Sequence, residues 1–236
     1  MFTQLAKREN LSKKIASDIE EAIHSRELKV GAKLPSELDL SQQFNVSRAT
    51  IREALHALDA RGIISIHKGK GIFVEGISSQ HVSIPMQSYL RFQMGDQTII
   101  DLIETRLLIE PAIAESAALN RTDEDLVLLK LDLDALAKLE GTPEELAMLD
   151  MQFHLHISQA THNSLIALII KPIYDLLPLL KVDVIRSVPG AINSALVWHQ
   201  EIFEAIQNAD PDSAKNKMKE HLLVAKVHAQ SLPKKN

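Results

Sequence analysis

Two short segments constrain this chain more than anything else in it: Lys33-Leu-Pro-Ser-Glu-Leu38, and Val46-Ser-Arg-Ala-Thr-Ile-Arg-Glu-Ala-Leu55. Ser36 is placed to cap a short helix through about Phe44. Asn45-Val46-Ser47 reads as a turn, and Ser47 caps a second helix that runs to Arg61 and stops at Gly62. On that second helix Arg48 and Arg52 are four residues apart and share a face, while Ile51, Leu55 and Leu58 form a core stripe. A pair of helices with a cationic leading end on the second is the geometry by which a small domain enters the DNA major groove.

The flanking sequence completes such a domain. Leu11, Ile15, Ile19 and Ile23 recur at every fourth position, which predicts an amphipathic helix over 11–27. Ile63-Ile-Ser-Ile-His67 and Ile72-Phe-Val-Glu75 are two β-rich runs around Lys68-Gly-Lys-Gly71, the pattern of a hairpin. Three helices and a hairpin make a winged helix-turn-helix over 1–76. Residues 77–96, with Ser78, Ser79, Pro85 and Gly95, read as a weakly patterned linker. From Gln97 to the end the patterning is helical. Thr122-Asp-Glu-Asp, Thr142-Pro-Glu-Glu and Asp210-Pro211 are helix starts, and Asn163 and Pro189 are breaks. About six helices are expected over 97–236, forming an antiparallel bundle. The fold class is therefore mainly α.

The net charge of −5 argues at first against a nucleic-acid partner. The charge is unevenly placed, however. Residues 1–76 hold 12 Lys and Arg against 10 Asp and Glu, a net +2, and the remainder is −7. With so small a basic excess, specificity must rest on a few placed arginines. The chain has no cysteine, which excludes disulfides, thiolate metal sites and a cysteine nucleophile, and points to a reducing, cytoplasmic setting. The opening Met1–Arg8 lacks the apolar run of a signal peptide. Apolar runs such as Leu165–Ile170 end too soon to span a membrane.

On these residues the chain resembles the GntR family of bacterial transcription regulators. The matching positions are Gly31, Leu34-Pro-Ser-Glu37, Val46-Ser-Arg48, Thr50-Ile-Arg-Glu-Ala-Leu55, Leu58, Gly62-Ile63 and Gly71-Ile-Phe-Val74. The C-terminal half resembles the FadR-type branch with its helical FCD effector domain, through Glu104-Thr-Arg106, Glu110, Asp150-Met-Gln-Phe-His154, Asn163, His199 and His221-Leu222. The resemblance implies a homodimer on a palindromic double-stranded operator, a small carboxylate or sugar-acid effector, and a divalent metal. One departure stands out: Leu38 occupies a position where many relatives carry an arginine.

The candidate DNA-reading residues are Arg48 and Arg52, either of which can pair bidentately with guanine, and Thr50, which can meet phosphate or a thymine methyl. Ser36, Glu37 and Ser47 belong to the same motif, the serines reading first as caps. By resemblance, the hairpin tip at His67, Lys68 and Gly69 reaches the minor groove. Asp150 and His154 lie four apart on one predicted helix, with His199 and His221 on two later ones. Three imidazoles and a carboxylate suit zinc, nickel or another borderline divalent ion. By spacing alone they are equally a salt bridge and two buried, hydrogen-bonded histidines, and it is the resemblance that groups all four as ligands. Leu102, Arg106, Ile109 and Ile113 place a guanidinium in an apolar stripe, where it needs a partner. That partner is either Glu110 or an effector carboxylate, and Asn163 either lines the same pocket or caps a helix. His81, His162 and His228 read as ordinary surface or interfacial histidines, and His156 as pointing away from His154.

These features predict a ligand-modulated transcription factor, a repressor in the simplest form. Two alternatives stand beside it: a constitutive DNA-binding protein with a purely structural metal, and a metalloenzyme in the helical half. Against the enzyme, the chain has no His-Glu-x-x-His, no Gly-rich phosphate loop and no Gly-x-Ser-x-Gly elbow. Its two Glu-x-x-His pairs, Glu21–His24 and Glu53–His56, fall on the helices of the DNA-binding half. The acyl-CoA-responsive relatives are set aside because the metal quartet is retained.

Overall fold

The computed structural model describes residues 11–76, 80–93, 95 and 97–232. The chain divides into two compact units at residues 81/82. The opening segment read above as free of a leader, and Ser78 and Ser79, lie outside the described residues.

The first unit contains α1 (Leu11–His24), α2 (Glu37–Gln43), α3 (Arg48–Ala60), β1 (Ile64–His67) and β2 (Gly71–Val74). Its core collects the fourfold stripe of α1 (Ile15, Ile19), Leu40 of α2, and Ile51, Leu55 and Leu58 of α3, closed by Ile64, Ile72 and Val74 of the hairpin. The turn between α2 and α3 uses Asn45 at φ 50°, a left-handed position that asparagine tolerates better than most side chains. Ser36 forms a full capping box with Asp39, and the Ser47 side chain accepts from the Thr50 amide. The hairpin pairs antiparallel, Ile64 with Val74 and His67 with Gly71. Gly71 sits at φ 119°, which a side chain would strain. The loop before α2 adds to the sheet edge: Gly31 N donates to Val74 O and Leu34 N to Ile72 O, each at 2.8 Å.

The second unit is all helical. It contains α4 (Gln80–Gln93), α5 (Thr98–Asn120), α6 (Asp123–Ala137), α7 (Pro143–Gln159), α8 (Ser164–Ser187), α9 (Ala191–Gln207) and α10 (Pro211–Gln230). Four of the six helices α5–α10 start at side-chain caps: Thr122 and Thr142 make capping boxes, and Asn163 and Asp210 accept from helix amides, while α5 and α9 start without one. Their core is one continuous cluster that includes Ala114, Ala117, Leu129, Phe153, Ile157, Leu176, Ile202 and Leu222. The stretch 77–96 departs from the linker reading, because most of it is α4, with Pro85 inside the helix. Proline removes only one hydrogen bond at that point. The helix is tied to α8 by Gln87 Nε2 donating to Asp175 Oδ2 at 3.3 Å. No described helix is long and apolar enough to cross a membrane.

Candidate metal centre and nucleic-acid interface

In the first unit, α3 presents Arg48 and Arg52 on its exposed face, with Ile51 and Leu55 turned into the core. Arg52 is not a free arm. Its Nη2 and Nε donate to the two carboxylate oxygens of Glu37, at 2.8 and 3.3 Å. This fork holds the guanidinium across from α2 and holds the Glu37 carboxyl below its usual range. Thr50 is half-buried, its hydroxyl 2.8 Å from Ser47 Oγ. Ser36 and Ser47 act as caps, so their hydroxyls are already partly engaged. His67, Lys68 and Gly69 are exposed at the hairpin tip, with the His67 ring edge-on to Phe73. Leu38 is 42% exposed beside Glu37. The motif thus places two cations, a threonine and a basic wing tip on the exposed side of one small domain.

In the second unit, four buried residues meet in the middle of the bundle. His154 and Asp150 come from α7, His199 from α9 and His221 from α10, each at most 2% exposed. The Nε2 of His154 lies 3.2 Å from Nε2 of His199 and 3.3 Å from Nε2 of His221. Burial lowers the pKa of all three imidazoles, well below the ordinary value for His199 and His221, so they are neutral at pH 7. Neutral ring nitrogens facing one another at this distance cannot all be satisfied by hydrogen bonds among themselves. Asp150 adds to the demand: its Oδ1 is buried with no hydrogen-bond partner and stands 3.7 Å from His199 Nε2.

A divalent cation fits this set. Two nitrogens on one tetrahedral zinc, at bond lengths of ~2.0–2.1 Å, stand about 3.3–3.4 Å apart, close to the separations seen here. The surrounding shell suits ligand duty as well. His154 Nδ1 lies 2.8 Å from Glu110 Oε2, off the line of a good hydrogen bond. A carboxylate behind a histidine fixes the ring and leaves the opposite nitrogen free for a metal.

Arg106 is buried on α5, and its Nε and Nη2 donate to Glu110 at 2.5 and 3.2 Å. Its Nη2 also lies 3.0 Å from His154 Nε2. Burial pushes the Glu110 carboxyl up, but Arg106 and then His154 more than offset this and hold it at about 2. The core carboxylate is therefore a partner of Arg106. Ile109, read as part of the buried stripe, is 37% exposed. The inward position four residues from Arg106 belongs to Glu110, which needs the guanidinium beside it.

Of its two readings, Asn163 takes that of a helix cap. It is exposed, its side chain accepts from the Leu165 amide as the α8 cap, and it is not among the residues lining the cavity beside Arg106. His162 and His156 are also not idle: His162 Nε2 lies 2.8 Å from Asp125, and His156 Nδ1 lies 2.5 Å from Asp132. The His81 side chain lies outside the described residues.

Sequence reasoning missed Lys181 of α8, whose Nζ donates to Asp150 Oδ2. Burial lowers the Lys181 pKa, and Asp150 opposes that effect. The Asp150 carboxyl is in turn held well below its usual range: burial acts upward, and Lys181 followed by His199 and His154 act downward more strongly. No spacing rule signals Lys181, because its partner is 31 residues away on another helix. Arg106, Lys181 and His221 line one cavity of about 40 Å³ whose other walls include Ile103, Leu177, Trp198 and His228. The cavity thus has an apolar body with cationic and imidazole groups on its wall. His228 is therefore a cavity residue and not a bystander.

The comparisons with known proteins agree with both units. Residues 11–74 match the model for bacterial regulatory proteins of the gntR family, and residues 101–223 match that of the FCD domain. A protein of Escherichia coli (strain K12), named as a regulatory protein of the L-lactate dehydrogenase operon, is 30% identical over 90% of this chain and 83% of its own length. The HTH-type transcriptional regulator LutR of Bacillus subtilis (strain 168) is 29% identical over 85% of this chain and 92% of its own. Among solved structures, Streptococcus agalactiae GntR superposes with a TM-score of 0.72 at 29% identity, covering 92% of this chain and 99% of that one. These relatives are regulators and not enzymes, and the metalloenzyme reading is set aside with them. The chain belongs to the gntR family of bacterial regulatory proteins and is a transcriptional regulator with an FCD domain.

Proposed function

We propose that this regulator is a cytoplasmic repressor, homodimeric on a palindromic operator, and that its hold on DNA is set by a small carboxylate bound at a divalent ion in the helical unit. The observation that carries this reading is the meeting of three neutral imidazole nitrogens and the unpartnered Asp150 Oδ1 beside a cavity walled by Arg106. His154, His199, His221 and Asp150 would hold the ion, with zinc first and nickel or another divalent ion as alternatives. When bound, such an ion supplies a Lewis-acid anchor for a ligand oxygen. Charge favours an anionic ligand. Arg106 cancels Glu110 and Lys181 cancels Asp150, so a divalent ion leaves the site positive. Arg106 is placed to orient a carboxylate at the cavity wall. The relative named for the L-lactate dehydrogenase operon is consistent with a small carboxylate as the ligand.

At the other end of the chain, Arg48 and Arg52 on α3 enter the major groove, Thr50, Ser36 and Ser47 meet the backbone, and His67, Lys68 and Gly69 reach the minor groove. Glu37 acts by holding Arg52. Coupling follows if ligand changes the packing of the bundle and with it the spacing of two DNA-binding units in a dimer, which must match the half-sites. The test is a thermal-shift screen of zinc-loaded protein against small carboxylates and sugar acids, followed by gel shift on operator DNA selected from genomic fragments. A carboxylate that both stabilises the protein and changes operator affinity supports the reading. Stoichiometric zinc with no carboxylate response would favour a structural ion in a constitutive regulator.

A further inference from the structure

The site contains one buried cation whose hydrogen-bond donors the proposed function does not use. Lys181 lies on the wall of the same cavity as Arg106, and its side chain is 15% exposed. An ammonium carries three donors, and the only hydrogen bond made by Nζ among the described residues is to Asp150 Oδ2. Arg106 differs, since its fork is already spread over Glu110 and His154. Asp150 is also shared. Its other oxygen, Oδ1, is the one directed toward the imidazole cluster, so a cation held there draws on the same carboxylate charge that neutralises Lys181. The pocket then has an ammonium with spare donors, half of its counter-charge committed elsewhere, and an otherwise largely apolar wall.

We propose that Lys181 is a specificity-determining residue of the effector pocket, recognising a second carboxylate on the ligand, so that the site prefers short dicarboxylates to monocarboxylates of the same chain length. This rests on the carboxylate-binding reading above and adds to it the class of ligand. A dianion brings the whole constellation close to neutrality: the two side-chain ion pairs cancel, and two carboxylates balance a divalent ion. A monocarboxylate leaves one positive charge buried.

The test uses full-length, zinc-loaded protein titrated calorimetrically with succinate and with butyrate, in the wild type, Lys181→Gln and Lys181→Arg. Gln keeps a donor for Asp150 and removes the charge, so it carries the test even where a fully apolar replacement fails to fold. A charge-assisted hydrogen bond predicts that the wild type binds succinate at least about tenfold more tightly than butyrate. Lys181→Gln is expected to bring that ratio to near one, and Lys181→Arg to restore most of it, at unchanged zinc stoichiometry by elemental analysis. A lysine that merely neutralises Asp150 predicts instead that Lys181→Gln tightens zinc retention, because Asp150 is freed from the ammonium, and leaves the succinate-to-butyrate ratio as it was; that result overturns the proposal. So does a wild type that binds both acids equally, with carboxylate binding itself intact. If zinc is bound and neither acid binds, this inference is overturned, while the effector reading is decided by the wider screen of carboxylates and sugar acids.

Discussion

Arg52 illustrates how a residue's role depends on what holds it. Glu37 engages the Nε and Nη2 edge of its guanidinium across the α2–α3 turn, which orients the side chain before DNA arrives. Arg52→Ala is expected to lower affinity for a selected operator roughly 10- to 100-fold while affinity for random DNA falls much less, as read by gel shift at fixed salt. Arg106 behaves differently because it is buried. Replacing it alone strands Glu110 in the core, a change that costs about 3–5 kcal/mol in comparable pairs. The pair replacement Arg106→Leu with Glu110→Leu is expected to be clearly more stable than Arg106→Ala by thermal denaturation, and to lose the carboxylate response. Glu110 also sets an acid limit. Its folded pKa of about 2 lies below the ordinary 4.5, so the stability it contributes is present above pH ~4.5 and disappears as pH falls toward ~2. Chelator-treated protein is expected to show this loss in an acid titration followed by circular dichroism. The histidine cluster was legible because an i, i+4 Asp–His pair and the family motif named all four positions. Lys181 was not, because a buried lysine gains meaning only from a carboxylate on another helix.

At the scale of elements, the caps did most of the predictive work. Ser36, Ser47, Thr122, Thr142, Asn163 and Asp210 each accept a helix amide, and local hydrogen bonding of this kind is readable from residue type and spacing alone. Thr142 matters beyond its own turn, because α7 carries both Asp150 and His154. Thr142→Ala is expected to cost about 1 kcal/mol in urea denaturation without altering zinc stoichiometry, since the ligands lie two to three turns further along the helix. Asn163 is the counterexample. Its sequence position fitted both a cap and a pocket, and only the fold shows the side chain turned back onto α8. The helix α4 escaped notice for a different reason. Pro85 and flanking Ser and Gly are breaker signals, whereas its helicity is supported by contacts such as Gln87 with Asp175, 88 residues away.

Across the whole molecule, the two units divide the physics between them. The first has a small core and exposed, placed cations; the second buries an ionic and imidazole cluster inside a larger apolar core. Burying so many polar groups is unfavourable unless each is satisfied, and the unpartnered Asp150 Oδ1 and His199 Nδ1 show that protein atoms alone leave some of them unpaired. A divalent ion at the Nε2 cluster and Asp150 would convert part of that demand into folding stability, because metal affinity for a preformed site adds to the free energy of the folded state. The most direct test strips the protein with a chelator, titrates it back with zinc in a calorimeter, and follows the melting temperature. The account predicts uptake of about one ion per chain, a melting temperature several degrees higher in the loaded form, and loss of both in His199→Ala. Zinc uptake no greater than in His199→Ala, with a melting temperature unmoved by chelation, would contradict it.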